Sequence, residues 1–168
     1  NFINFLTTSN IENIISSLVE IETNYFDKNK ISSIILHDSL TDIIVSLKKK
    51  DILNSYIKTV KEKFKCKVGF ATKNLPQFLK LIEDYNDDDL MILTHINKIG
   101  FEMNPSKEEV EKVLINCKHE IICMSILASG SIPADEAFSY IKNLKIPNYS
   151  TVVGCSTKSH LAKYISSF

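Results

Sequence analysis

The sequence predicts an α/β domain with a parallel sheet, and three observations point there. Short β-branched or apolar runs recur five times, each is followed by a longer stretch with helical spacing, and polar turns separate the two. The runs are Ser33–His37, Cys66–Ala71, Leu90–Ile96, Ile121–Leu127 and Thr151–Cys155. Such alternation gives repeated βα units, and strands joined through helices lie parallel.

Helix starts support the same rhythm. Thr8-Ser9-Asn10 precedes an apolar stripe at Ile11, Ile14, Ile15 and Leu18. Ser106 with Glu109 three residues on has the form of a capping box. Pro133 opens a helix with Asp135 and Glu136 in its first turn, where acids meet the positive end of the helix dipole. The last helix is expected to open near Thr157-Lys158-Ser159, and Asp87-Asp88-Asp89 reads as a solvated turn before a strand.

No linker, low-complexity tract or sequence repeat divides the chain, so residues 1–168 form one expected domain. Five parallel strands suit two architectures. A doubly wound, flavodoxin-like sheet fits the length and binds its ligand where the strand order reverses. A parallel (β/α) TIM barrel has eight strands and typically needs about 250 residues, and the motifs described below lean toward it. On that alternative the chain holds the last five βα units and is incomplete at its N-terminus, its sheet closed by the missing strands or a partner chain. The abrupt apolar start at Phe2–Leu6 suits a piece of something longer.

Lysine plus arginine equals aspartate plus glutamate at 20 each, a balance that argues against a nucleic-acid or anionic-membrane surface. Lys48, Lys49 and Lys50 are followed by Asp51 and read as a solvated helix face. No apolar run approaches the roughly 20 residues that span a bilayer, and no signal-peptide pattern opens the chain. Cys66, Cys117, Cys123 and Cys155 match neither a disulfide framework nor a zinc motif. Three of them lie in or beside apolar strand candidates and read as small buried hydrophobes, and a reducing, cytoplasmic setting is expected.

Residues at strand ends collect at one rim of such a fold, so His37 and His95 are the candidate catalytic side chains. Strand alternation that turns His37 inward puts Ser33 and Ile35 on its face; Met91 and Leu93 share the face of His95. A histidine near neutrality exchanges protons or donates to a carbonyl oxygen. With Asp38 the two could also hold a divalent metal, but their scattered spacing matches no metal motif and none is assigned. Ser129-Gly130-Ser131 and Gly154-Cys155-Ser156-Thr157 are the candidate phosphate loops, Lys158 adding charge. Helix capping by Ser131 and Thr157 is the alternative use of their hydroxyls. Lys73 and Lys98 follow strands as candidate Schiff-base or electrostatic residues, and Asn97–Pro105 reads as a loop carrying Phe101 and Met103 over the mouth. Cys155 is expected in buried packing, His119 at the surface, and His160 near phosphate or solvent.

The order of these segments resembles the later portion of the aldo/keto reductase family. Ile34-Ile35-Leu36-His37-Asp38 is similar to the family's fourth strand with its catalytic histidine, and Val68-Gly69-Phe70-Ala71-Thr72 to its fifth. Thr94-His95-Ile96-Asn97 resembles the sixth-strand ending, and Met124-Ser125-Ile126-Leu127-Ala128-Ser129-Gly130 the seventh-strand segment. Val153 to Leu161 is similar to the eighth-strand segment that binds cofactor phosphate. The resemblance implies reduction of a carbonyl substrate with NADP(H). It implies cofactor contacts at Ser125, Ser129, Gly130, Ser131, Gly154, Ser156, Thr157 and Lys158. The sequence departs from the family where nicotinamide is held: Ala71-Thr72, Leu93 and Met124 replace the usual amide-binding and stacking residues. The family's Asp, Tyr and Lys would lie before Asn1.

Two other functions fit the same residues. One is a barrel lyase, aldolase or isomerase on a phosphorylated small molecule, using His37, His95 or Lys73. The other is a relative without a redox site that serves as a structural or interaction domain.

Overall fold

The computed structural model describes residues 11–85 and 90–167 of the chain. The expected cap at Thr8-Ser9-Asn10 and the acidic turn at Asp87-Asp88-Asp89 lie outside the described residues.

The order of elements is α1 (Ile11–Thr23), β1 (Ser33–Leu36), α2 (Asp38–Ser46), α3 (Lys50–Lys63), β2 (Lys67–Thr72), α4 (Leu75–Leu81), β3 (Leu90–His95), α5 (Lys107–Leu114), β4 (Glu120–Met124), α6 (Ala134–Asn143), β5 (Tyr149–Thr151) and α7 (Lys158–Ser167). The five strands form one all-parallel sheet in the order β1-β2-β3-β4-β5. That order follows the chain and contains no reversal.

Register sorts the side chains onto two unlike faces. Ile34 pairs with Val68, Phe70 with Ile92, and Thr94 with Cys123, and these rows face the helices. Val68, Phe70, Leu90, Ile92, Ile121 and Cys123 are all fully buried there. Phe70 anchors the packing: its ring centroid lies 5.3 Å from that of Tyr56 on α3 and 5.1 Å from that of Phe78 on α4. The Tyr56 hydroxyl donates to the Ile34 carbonyl oxygen at 2.9 Å, tying α3 to β1. Burial raises the Tyr56 hydroxyl pKa above its ordinary value.

The opposite face carries Ile35, Met91, Leu93, Ile122 and Met124, each only partly covered. Among the described residues the helices therefore cover one side of the sheet. Among the described residues no helix is long and apolar enough to cross a membrane.

The fifth strand lies earlier than expected. The run Thr151–Cys155 looks apolar, but the ladder uses Tyr149–Thr151. Its partner β4 ends at Met124, so pairing stops after Val152 N–H donates to the Cys123 carbonyl at 3.0 Å. Gly154 and Cys155 thus belong to the following loop, and Cys155 is exposed rather than packed. Cys117 and Cys123 are buried, and burial pushes the Cys123 thiol up to about 12. Ser106 caps α5 as its motif predicts, its hydroxyl accepting from Glu109 N–H at 3.3 Å.

Gly69 has a packing reason to be glycine. A Cβ there would stand 2.6 Å from Cγ1 and 3.3 Å from Cβ of Ile35, a β-branched side chain with little freedom to turn. Gly69→Ala should destabilise the domain by about 1–3 kcal/mol. Adding Ile35→Ala should recover part of the loss, since the clash partner is gone. Chemical denaturation of the two single variants and the double variant measures that coupling.

Candidate acid–base site at the strand ends

Parallel pairing brings the ends of all five strands to one rim, and polar side chains gather at β1, β2, β3 and β4. Asp42, one turn into α2, fixes the end of β2. Its carboxylate accepts from the Thr72 hydroxyl at 2.5 Å and from Lys73 N–H at 3.0 Å. Thr72 Oγ1 in turn accepts from Asn74 N–H at 3.0 Å, and Asn74 caps α4 by accepting from Gln77 N–H at 3.2 Å. With its backbone held, Lys73 extends its ammonium to Glu102 Oε1 at 2.7 Å. That hydrogen bond, more than any other cause, raises the Lys73 pKa and keeps the amine protonated.

Glu102 arrives on the loop after β3. Asn97, fully buried, acts as a clasp: it accepts from Phe101 N–H at 2.7 Å and donates to the Phe101 carbonyl at 2.8 Å. Asn104 N–H donates to the Lys73 carbonyl at 2.8 Å, joining the loop to β2. Met103 is buried beneath, its sulfur accepting from Asn97 N–H at 3.3 Å. Glu102 itself sits at φ 57°, a left-handed conformation that costs a side-chain-bearing residue about 1–2 kcal/mol. The clasp over-determines the loop and holds Glu102 in that conformation.

His95 is the centre of the cluster. Its side chain is 6% exposed at the last residue of β3. Nδ1 lies 3.0 Å from Ser125 Oγ and 3.2 Å from Glu102 Oε2. Nε2 is buried, makes no hydrogen bond, and faces Asp38 Oδ2 at 3.8 Å. Burial lowers the His95 pKa from 6.5 and outweighs the opposing pull of Glu102, while the Lys73 charge adds to the lowering. A neutral imidazole is therefore poised between two carboxylates and a serine hydroxyl.

His37 stands elsewhere than the strand pattern suggests. Strand β1 ends at Leu36, and His37 is the N-cap of α2, its Nδ1 accepting from Ser39 N–H at 3.3 Å. Its side chain is 78% exposed and lies 2.8 Å from Asp38 Oδ1, while Asp38 itself is 14% exposed. Asp38 thus lies between the two histidines, one in solvent and one buried. Among the described residues no set of three or more His, Cys, Asp or Glu could hold a metal ion.

Next to this cluster a cleft of about 730 Å³ runs along the ends of β4 and β5. Ser125, Ser129, Gly130, Gly154 and Ser156 line it, so five of the expected cofactor-contacting residues share one cavity. Ser131 is exposed outside this lining, and its hydroxyl does not cap α6, which opens on Pro133 without a side-chain cap. Thr157 does cap: its hydroxyl accepts from His160 N–H at 3.2 Å. Lys158 is exposed at the start of α7. His160 borders the cleft, its ring 6.2 Å from that of Tyr164. The other strand-following lysine, Lys98, pairs with Glu136 at 2.5 Å and takes no part. Among the described residues Ser125 alone belongs to both the cleft and the acid–base cluster.

Sequence reasoning missed Glu102 and Asp42. Glu102 lies in an irregular loop, where periodicity says nothing about which side chain turns inward. Asp42 lies in a helix, where a lone acid looks solvated. The one available signal was the position of Glu102's loop directly after a histidine-bearing strand end.

His95 also sets an expected pH dependence. Its folded pKa is lowered, so the unfolded chain binds more protons below about 6.5, and stability is full above that value and falls as pH drops through it toward the folded pKa. His95→Gln should flatten this limb of the curve, read as the midpoint of urea unfolding between pH 7.5 and 5 relative to the unchanged chain.

Compared with protein-family models, curated proteins and solved structures, the chain matches none.

Proposed function

We propose that the chain is an arc of a (β/α) barrel whose rim carries out proton transfer on a phosphorylated small carbonyl compound, as a lyase or isomerase. The observation that carries this is Ser125 touching His95 while lining the glycine- and serine-bounded cleft. The sequential strand order and the helices on a single face support the arc, because a barrel keeps its helices outside and turns its other face inward.

In this reading the cleft holds the phosphate through the loops after β4 and β5, where glycine backbone and serine hydroxyls approach an anion closely. The Ser125 hydroxyl relays a proton between the substrate carbon and His95 Nδ1. Asp38 and Glu102 favour the imidazolium formed in that step. Lys73 stays charged and stabilises the oxyanion that develops when the proton leaves. A protonated lysine is not a nucleophile, so Lys73 acts by charge and not through a Schiff base.

Dihydroxyacetone phosphate in D₂O tests this directly. The chain should catalyse exchange of deuterium into the carbon beside the carbonyl, followed by NMR, and His95→Gln should slow it by roughly 10²–10⁴-fold. Borohydride should leave the protein mass unchanged. Absence of exchange with this and other short phosphorylated carbonyl compounds, or a borohydride-trapped adduct at Lys73, would remove the mechanism.

A second reading is favoured by the same cleft: NADPH-dependent reduction, with the cofactor phosphates among Ser125, Ser129, Gly130, Gly154 and Ser156. It predicts saturable NADPH binding that quenches the intrinsic tyrosine fluorescence. A flat titration to millimolar NADPH would exclude it.

A further inference from the structure

We infer that Ser125, His95 and Asp38 form a nucleophilic triad able to cleave esters of short apolar acids. The inference rests on the reading of this rim as a reaction site but adds a covalent step that proton exchange does not require. Three features carry it. First, the order of contacts is that of a nucleophile, a base and an orienting acid: Ser125 Oγ to His95 Nδ1 at 3.0 Å, then His95 Nε2 toward Asp38 Oδ2 at 3.8 Å. Among the described residues buried Nε2 makes no hydrogen bond and Asp38 is the acid that faces it, so the triad uses the tautomer protonated at Nε2, with Lys73 drawing the charge of Glu102 away from Nδ1. Catalytic hydrogen bonds of this kind shorten when substrate binds.

Second, Ser125 stands where a nucleophile is most accessible. It follows β4 directly and takes φ 56°, at the head of a tight turn closed by Ala128 N–H donating to the Ser125 carbonyl at 2.8 Å. A strained strand-to-helix turn projects a serine hydroxyl out of a sheet. The N–H groups of Ile126 and Leu127 follow it in the chain, where an oxyanion hole beside a strand-end serine is built from backbone donors. Third, the cleft that Ser125 lines is walled by Met124, Leu127, Val152, Val153 and Tyr164, an apolar lining suited to an acyl chain.

The step balances without an added reactant. Ser125 Oγ bonds to the ester carbonyl carbon and its proton passes to His95 Nδ1. The tetrahedral adduct expels the alkoxide, which takes that proton and leaves as the alcohol. Water then attacks the acyl-serine, gives a proton through His95 back to Ser125 Oγ, and releases the carboxylic acid. Glu102, also within 3.2 Å of Nδ1, stabilises the imidazolium that forms within each half of the cycle, with Lys73 holding it in position.

The test uses the whole chain with an alkyl fluorophosphonate and, separately, p-nitrophenyl butyrate. The expected result is one fluorophosphonate adduct, mapped by peptide mass to Ser125, and a pre-steady-state burst of p-nitrophenolate. Ser125→Gly, which suits the positive φ and so preserves the turn, should abolish both, and His95→Gln should slow both by at least about a hundredfold. Asp38→Asn should lower the rate and shift its pH profile. No adduct, an adduct elsewhere, or a Ser125→Gly chain that still releases p-nitrophenolate at the original rate overturns the triad. Deuterium exchange that persists while Ser125 stays unlabelled overturns it and leaves the proton-transfer reading standing.

Discussion

Parallel pairing is the constraint on which the rest of this molecule depends. It obliges each strand to return through a helix, puts all five strand ends on one rim, and leaves the loops after the strands to meet there. The register then separates two tasks. One set of rows, through Phe70 and its neighbours, buries against helices and provides cohesion. The other set stays partly open and aims its last members, His95 among them, into the rim. Stability and chemistry thus occupy alternate residues of the same strands.

At that rim, polar burial is arranged in layers. Asp42 secures the backbone at the end of β2, Asn97 secures the loop after β3, and both let the next layer reach inward. Glu102 and Lys73 neutralise each other before either faces the imidazole. The result is a histidine that burial keeps neutral although two acids flank it. Burial wins because His95 is almost wholly removed from water, whereas Glu102 is only half-buried and shares its charge with Lys73.

The βα rhythm was legible because β-branched runs and helical stripes obey short periods, and capping at Ser106 was legible because it is local. The boundary of β5 was not, since its end depends on where β4 runs out of partners and not on Val152 or Val153 themselves. His95 was legible from its place at a strand end. The apolar run puts His37 at a strand end too, but β1 stops one residue short and Asp38 opens the helix, so the ring is a cap in solvent. The Gly and Ser loops were visible as composition. Their convergence with His95 through Ser125 was not, because it joins residues 30 positions apart.

The clasp made by Asn97 has one more consequence, for ionic strength. By fixing Glu102 against Lys73, it presents His95 with a dipole in place of a lone charge on that side, and the two members act on the imidazole in opposite directions. Mobile ions screen both members together, so their effects fade in step and largely cancel. The Asp38 carboxylate is mostly shielded from those ions. Protonation of His95 should therefore vary little between dilute and concentrated salt, unlike that of a histidine facing a single exposed carboxylate.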